Sequence, residues 1–145
     1  MVSKSEIKLD KVKLNAFMLE AFPQVAHEYA IQTVAVNEIT VRLAVEERHL
    51  RPGGTVSGPT MFALADVSAY LATLAMIGPQ ALAVTTNCSI DFMRKPAPGV
   101  DLIAEAKILK LGKLLSVTDV MIRSEGMQDP VARATLTYAI PPARP

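Results

Sequence analysis

Apolar side chains first recur along the chain at helical intervals. Ile7, Leu14, Phe17, Met18 and Ala21, with lysines and acids between them, predict an amphipathic helix over 5–22, ended near Pro23. Over 30–46 the pattern changes to β-branched runs that close in an alternation of Val41, Leu43 and Val45 with Arg42, Ala44 and Glu46. Two strands or one bent strand satisfy it. The turn-forming stretch RPGGTVSGP, 51–59, delivers the chain to a second helix over 58–77, stopped by Gly78 and Pro79. Beyond it the period is two. Val84, Thr86, Cys88, Ile90 and Phe92 share one face, followed by the turn RKPAPG. Leu102, Ala104, Ala106 and Ile108 share a second, and Leu114, Ser116, Thr118, Val120 and Ile122 a third. A fourth segment covers 131–140. Short connections across 82–140 imply antiparallel neighbours. With no internal repeat, the chain is expected to be one α+β domain over 1–145 in which an antiparallel sheet covers one helix.

Composition narrows the function. A chain of 145 residues, half of them hydrophobic and a fifth charged, has enough apolar surface to bury a core. Fifteen basic against 14 acidic residues give a net charge of +1, so no overall field attracts nucleic acid. The single cysteine, Cys88, closes no intrachain disulfide, and no Cys/His spacing suits a metal, which fits a reducing, cytoplasmic setting without metal or cofactor. The charged opening MVSKSEIKLDKVK lacks the apolar run of a secretory signal. The apolar stretch 67–84 is interrupted by Gly78, Pro79 and Gln80, so no membrane span is expected.

The helix over 58–77 carries the candidate chemistry. It is apolar or small on nearly every side, a pattern expected of a helix buried all round, and Asp66 is its one charge. Burying an unpaired carboxylate costs several kcal/mol, so such a group has a partner, water or a task. The plain alternative is an aspartate that reaches solvent through a gap or accepts backbone hydrogen bonds. At the helix start, Ser57 or Gly58 is positioned to cap and Pro59 to occupy the first turn. The Gly58 N–H is then a free donor at a positive helix end, able to polarise a carbonyl oxygen. Gly58 and Asp66 are eight residues apart, about 12 Å along the axis. A base must come within about 3 Å of its proton. The two groups therefore cooperate only if Gly58 of one copy meets Asp66 of another, with two equal sites about a two-fold axis.

In the stretch HLRPGGTVSGPTMFALAD, the residues His49, Pro52, Gly54, Gly58, Leu64, Ala65 and Asp66 match a pattern of the hotdog thioesterase superfamily, in its phenylacetic-acid-degradation branch. The chain resembles that family through most of its length, including IDFMRKPAPG over 90–99. The resemblance implies a hotdog fold, one curved antiparallel sheet wrapped around a long central helix. It also implies hydrolysis of an acyl-CoA or related thioester by a homodimer or a homotetramer of two dimers. Asp66 would be general base or nucleophile, and the Gly58 amide would polarise the carbonyl. Coenzyme A then belongs to the substrate.

Three positions depart from the family pattern: Arg51 stands for asparagine, Ser57 for histidine and Pro59 for glycine. Arg51 suits an acyl group or phosphate, or is simply a surface arginine. Ser57 lacks the nucleophile-elbow context, which favours helix capping. His49, Arg51, Ser57, Asn87, Arg94 and Lys95 are the candidate substrate contacts. Arg94 and Lys95, with Lys110 and Lys113, sit at strand ends where coenzyme A phosphates are met, or form a solvated rim; Asn87 lines a pocket or pairs with water. Cys88 is expected in the core. A non-catalytic acyl-CoA-binding module is the alternative function. A dehydratase would need a histidine beside a carboxylate, and the central helix has none.

Overall fold

A computed structural model describes residues 6–142. Helix α1 spans Lys11–Ala21, strands β1 Tyr29–Ala35 and β2 Glu38–Leu43 follow, and helix α2 spans Gly58–Ile77. The remaining strands are β3 Val84–Phe92, β4 Leu102–Leu111, β5 Leu115–Ser124 and β6 Pro130–Ala139. All six strands form one sheet in the order β1-β2-β4-β5-β6-β3, antiparallel at every step.

Helix α1 starts later than its spacing predicts. Asp10 caps it by accepting the Lys13 N–H at 2.9 Å. The Lys8 and Leu9 amides instead donate to the Ala75 carbonyl at 2.7 and 3.2 Å, which ties that segment to α2 and prevents it from being helical. Ser5, where the sequence reading began the helix, lies outside the described residues. The region over 30–46 resolves into two strands joined at Val36 and Asn37, where Asn37 adopts a φ of 59° that asparagine tolerates better than most residues.

Helix α2 has the bounds its punctuation predicts, and Leu64, Leu71 and Leu74 are sealed against the sheet. Burial of each such side chain is worth about 1.5–3 kcal/mol. The buried hydroxyls of Thr73 and Ser116 satisfy one another at 2.9 Å across the helix-sheet contact. The helix is not buried all round, however. Its N-terminal half leaves Pro59, Phe62, Ala63, Asp66 and Val67 partly or fully uncovered, at the spacing of one helical face. A sheet covers one side only, and α1 packs near the other end of α2, against Tyr70. By length and hydropathy alone α2 would pass for a membrane span, yet two-thirds of it is buried beneath its own sheet.

Strand β3 departs from strict alternation. A bulge between Thr85 and Asn87 resets its register against β6. Cys88 and Ile90 still pack on the core, but Thr85 rather than Thr86 turns toward α2, while Val84 and Phe92 are exposed. Only one side of β3 is paired within the sheet.

Candidate functional site

Asp66 sits half-buried on the uncovered face of α2. Two hydroxyls converge on its Oδ1: Thr85 Oγ1 donates at 2.6 Å and Tyr138 Oη donates at 2.6 Å. The Tyr138 hydroxyl also lies 3.0 Å from the Asp66 main-chain oxygen. No donor among the described residues reaches Oδ2. Beside the carboxylate a cavity of about 370 Å³ opens between α1 and α2, walled by Met18, Phe22, Val67, Tyr70 and Val84. It is apolar except at the Asp66 end. Burial, and then the hydrogen bond to Asp66, push the Tyr138 phenol well above its ordinary pKa, so it stays a donor. Burial lifts Tyr70 to about 12. Cys88 packs partly buried against the core; burial first and the Asp66 charge second raise its thiol pKa, which keeps it protonated and unreactive.

Gly58 belongs to a different cavity. Ser57 caps α2 by accepting the Thr60 N–H at 3.3 Å, and its hydroxyl is 2.8 Å from that of Thr60, so capping is the role its contacts support. Pro59 has no N–H. The Gly58 N–H at the first helical position finds no acceptor among the described residues. A Cβ at this position would stand 3.4 Å from the Phe92 ring, in van der Waals contact with it. Around the amide, Arg51, Phe92, Arg94 and Lys95 line a cavity of about 400 Å³. The fold thus gathers Arg51, Arg94 and Lys95 beside Gly58, and places Asp66 elsewhere, as the axial separation requires.

His49 and Asn87 join neither cavity. Asn87 is exposed, on the far side of the bulge. His49 is buried and fully engaged: Nδ1 accepts the Glu46 N–H at 2.9 Å, so Nε2 carries the proton and donates to Glu28 Oε1 at 2.6 Å. Its carbonyl accepts the Ser57 N–H at 2.9 Å. The expected substrate contact is instead a latch that holds the loop leading into Gly58. Burial would raise the Glu28 pKa, but the hydrogen bonds from His49 and Arg48 outweigh it and hold the group below its usual value of 4.5. A depressed carboxylate stabilises the fold above its unfolded pKa, and that contribution fades as pH falls through the folded value. Glu28→Gln is therefore expected to lower the unfolding free energy by about 1 kcal/mol at neutral pH, the difference between a charged and a neutral acceptor. In parallel denaturant titrations the gap from the unaltered protein should close below about pH 4.5.

Thr85 and Tyr138 were not among the sequence candidates. Tyr138 carried a signal, since it falls on the inward face of β6 with Ala134 and Leu136, and a buried tyrosine hydroxyl needs a partner. Thr85 carried none, because the bulge that aims it breaks the alternation.

A thioesterase superfamily model matches residues 53–131. Among solved structures, the chain is 58% identical to a candidate thioesterase from Silicibacter sp. TM1040, covering 97% of each chain with a TM-score of 0.90. It is 29% identical to a mutant form of the phenylacetic acid degradation protein PaaI from Thermus thermophilus, covering 82% of this chain and 99% of that one with a TM-score of 0.71. A Streptococcus mutans protein bound to acetyl CoA is 24% identical over 81% of this chain and 91% of that one, with a TM-score of 0.69. The search of curated proteins found no match. The six-stranded antiparallel sheet laid over a long central helix is the hotdog fold.

Proposed function

The chain belongs to the thioesterase superfamily, and from that premise we propose that it hydrolyses acyl-CoA thioesters at sites shared between two copies. The observation that carries this reading is the division of labour within one protomer. A carboxylate with a free oxygen ends one apolar cavity, and an unpaired backbone donor lies in another, basic cavity. Neither half is a site alone. Their union gives a base, an oxyanion donor, an apolar acyl pocket and cations for coenzyme A phosphates.

Several features support a second copy as the source of the missing half. Strand β3 has an unpaired side, and Phe62, Val84 and Phe92 are exposed around it and the bare face of α2. A two-fold axis there would continue the sheet and bring the Gly58 of one protomer to the Asp66 of the other. We assign a homodimer, alone or paired into a tetramer.

In the reaction, the thioester carbonyl oxygen accepts the Gly58 N–H of the second copy, and negative charge gathers there as the carbon is attacked. Asp66 acts through Oδ2, either taking a proton from the attacking water or adding to the carbon to form an anhydride that water then opens. By either route the C–S bond breaks, the acyl carbon gains a hydroxyl to become the carboxylic acid, and the remaining proton of water goes to the sulfur, which leaves as the free thiol of coenzyme A. Arg51, Arg94 and Lys95 hold the phosphates, and the acyl group fills the cavity between Phe22 and Tyr70. No cofactor is needed. The Streptococcus mutans structure with acetyl CoA bound lends support to a coenzyme A ligand.

The altered positions Arg51, Ser57 and Pro59 suggest the alternative of an acyl-CoA-binding module without turnover. Ser57 and Pro59 nonetheless build the same uncapped Gly58 amide that catalysis requires. A panel of short, aromatic and long acyl-CoAs, followed by free-thiol detection, should show release of one thiol per acid formed. Saturable binding of the same panel with no thiol released would establish the module instead.

A further inference from the structure

We propose that Tyr138 is a positioning residue for this hydrolysis, fixing which oxygen of Asp66 meets the substrate; the inference rests on Asp66 acting as proposed above. A carboxylate at the end of a short side chain presents two equivalent oxygens and turns about its last bond. Here that freedom is removed from one side. Tyr138 on β6 and Thr85 on β3 are cross-strand partners, and the bulge beside Thr85 turns it toward α2 with Tyr138. Their hydroxyls meet on Oδ1, each at 2.6 Å, which leaves Oδ2 as the free atom.

Tyr138 is the more rigid of the two. Its ring is buried and lies 5.8 Å from that of Tyr70 at a tilt of 44°; Tyr70 in turn meets Phe22 edge to face at 5.7 Å and is anchored by its hydroxyl to the Ala81 carbonyl at 3.1 Å. The same hydroxyl lies 3.0 Å from the Asp66 main-chain oxygen, so it is registered to the helix as well as to the carboxylate. Tyr138, Tyr70 and Phe22 also wall the cavity assigned to the acyl group. One aromatic cluster thus places the substrate and the reacting carboxylate from a common surface. Loss of alignment of this order costs roughly 10- to 100-fold in rate.

Tyr138→Phe keeps the ring contacts and deletes the donor. The expected result is a folded protein of unchanged oligomer size, with kcat lowered roughly 10- to 100-fold and KM within about twofold, as for a contact that serves the chemical step and does not touch the substrate. Where Tyr138→Phe fails to fold, 3-fluorotyrosine at 138 retains the shape with a more acidic hydroxyl, and kcat should change while KM stays within about twofold. An active protein whose Asp66→Asn variant is inert, but whose Tyr138→Phe variant keeps its kcat, overturns the inference alone. So does an unmoved kcat with fluorotyrosine. A wild-type protein without turnover, or an Asp66→Asn variant as fast as wild type, removes the parent reading and this one with it.

Discussion

Asp66→Asn is expected to leave a folded protein whose turnover of its best acyl-CoA falls by roughly 100- to 10,000-fold, the range a positioned general base contributes. The substitution is nearly isosteric. An amide oxygen in place of Oδ1 still accepts the Thr85 and Tyr138 hydroxyls, so the buried donors keep their partner and the fold has little reason to change. What disappears is the oxygen at the Oδ2 position, replaced by an NH2 group that neither takes a proton nor attacks a carbonyl. Thermal unfolding should shift by no more than a few degrees while thiol release collapses, and coenzyme A binding through Arg51, Arg94 and Lys95 should persist. Full activity in this variant would remove Asp66 from the mechanism. An unfolded variant would show that the carboxylate is chiefly structural.

Much of this arrangement was legible from local chemistry. The bounds of α2 follow from Ser57, the Gly58-Pro59 pair and the Gly78-Pro79 pair, all of which act through their own backbone geometry and need no knowledge of the rest of the chain. The separation of Gly58 from Asp66 likewise follows from the rise of a helix. What was hidden depends on distant partners. His49 matched a motif, but Glu28, 21 residues away, makes it a latch. The helical spacing over 5–22 could not show that the Lys8 and Leu9 amides are captured by Ala75. Apolar composition could not say which face of α2 the sheet leaves bare. Thr85 reaches Asp66 because of a one-residue bulge against β6, and a register shift of that kind leaves no trace in an alternating pattern.

The decisive result should come from mixing two inert proteins. Gly58→Pro deletes the amide proton proposed to bind the oxyanion. Proline is favoured at the first helical position, and Ser57 before it already has φ −74° and ψ 155°, the extended conformation that a residue preceding proline adopts. The added ring presses on Phe92, whose side chain is half exposed and has room to swing. Removing one oxyanion donor costs about 100- to 1,000-fold. If each site joins Asp66 of one chain to Gly58 of the other, a dimer of one Asp66→Asn chain and one Gly58→Pro chain contains one intact site and one doubly damaged site. Random exchange at equal concentrations makes half of the dimers mixed, so about a quarter of wild-type activity should return from two preparations that have almost none. The reciprocal mixture sharpens the test. Wild type exchanged with a chain carrying both substitutions should fall to about a quarter of the wild-type rate, because every mixed dimer is dead at both sites; sites contained within one chain would leave about a half. No recovery in the first mixture, with a half retained in the second, would place Gly58 and Asp66 in separate mechanisms despite the bare helix face and unpaired strand that point to a shared one.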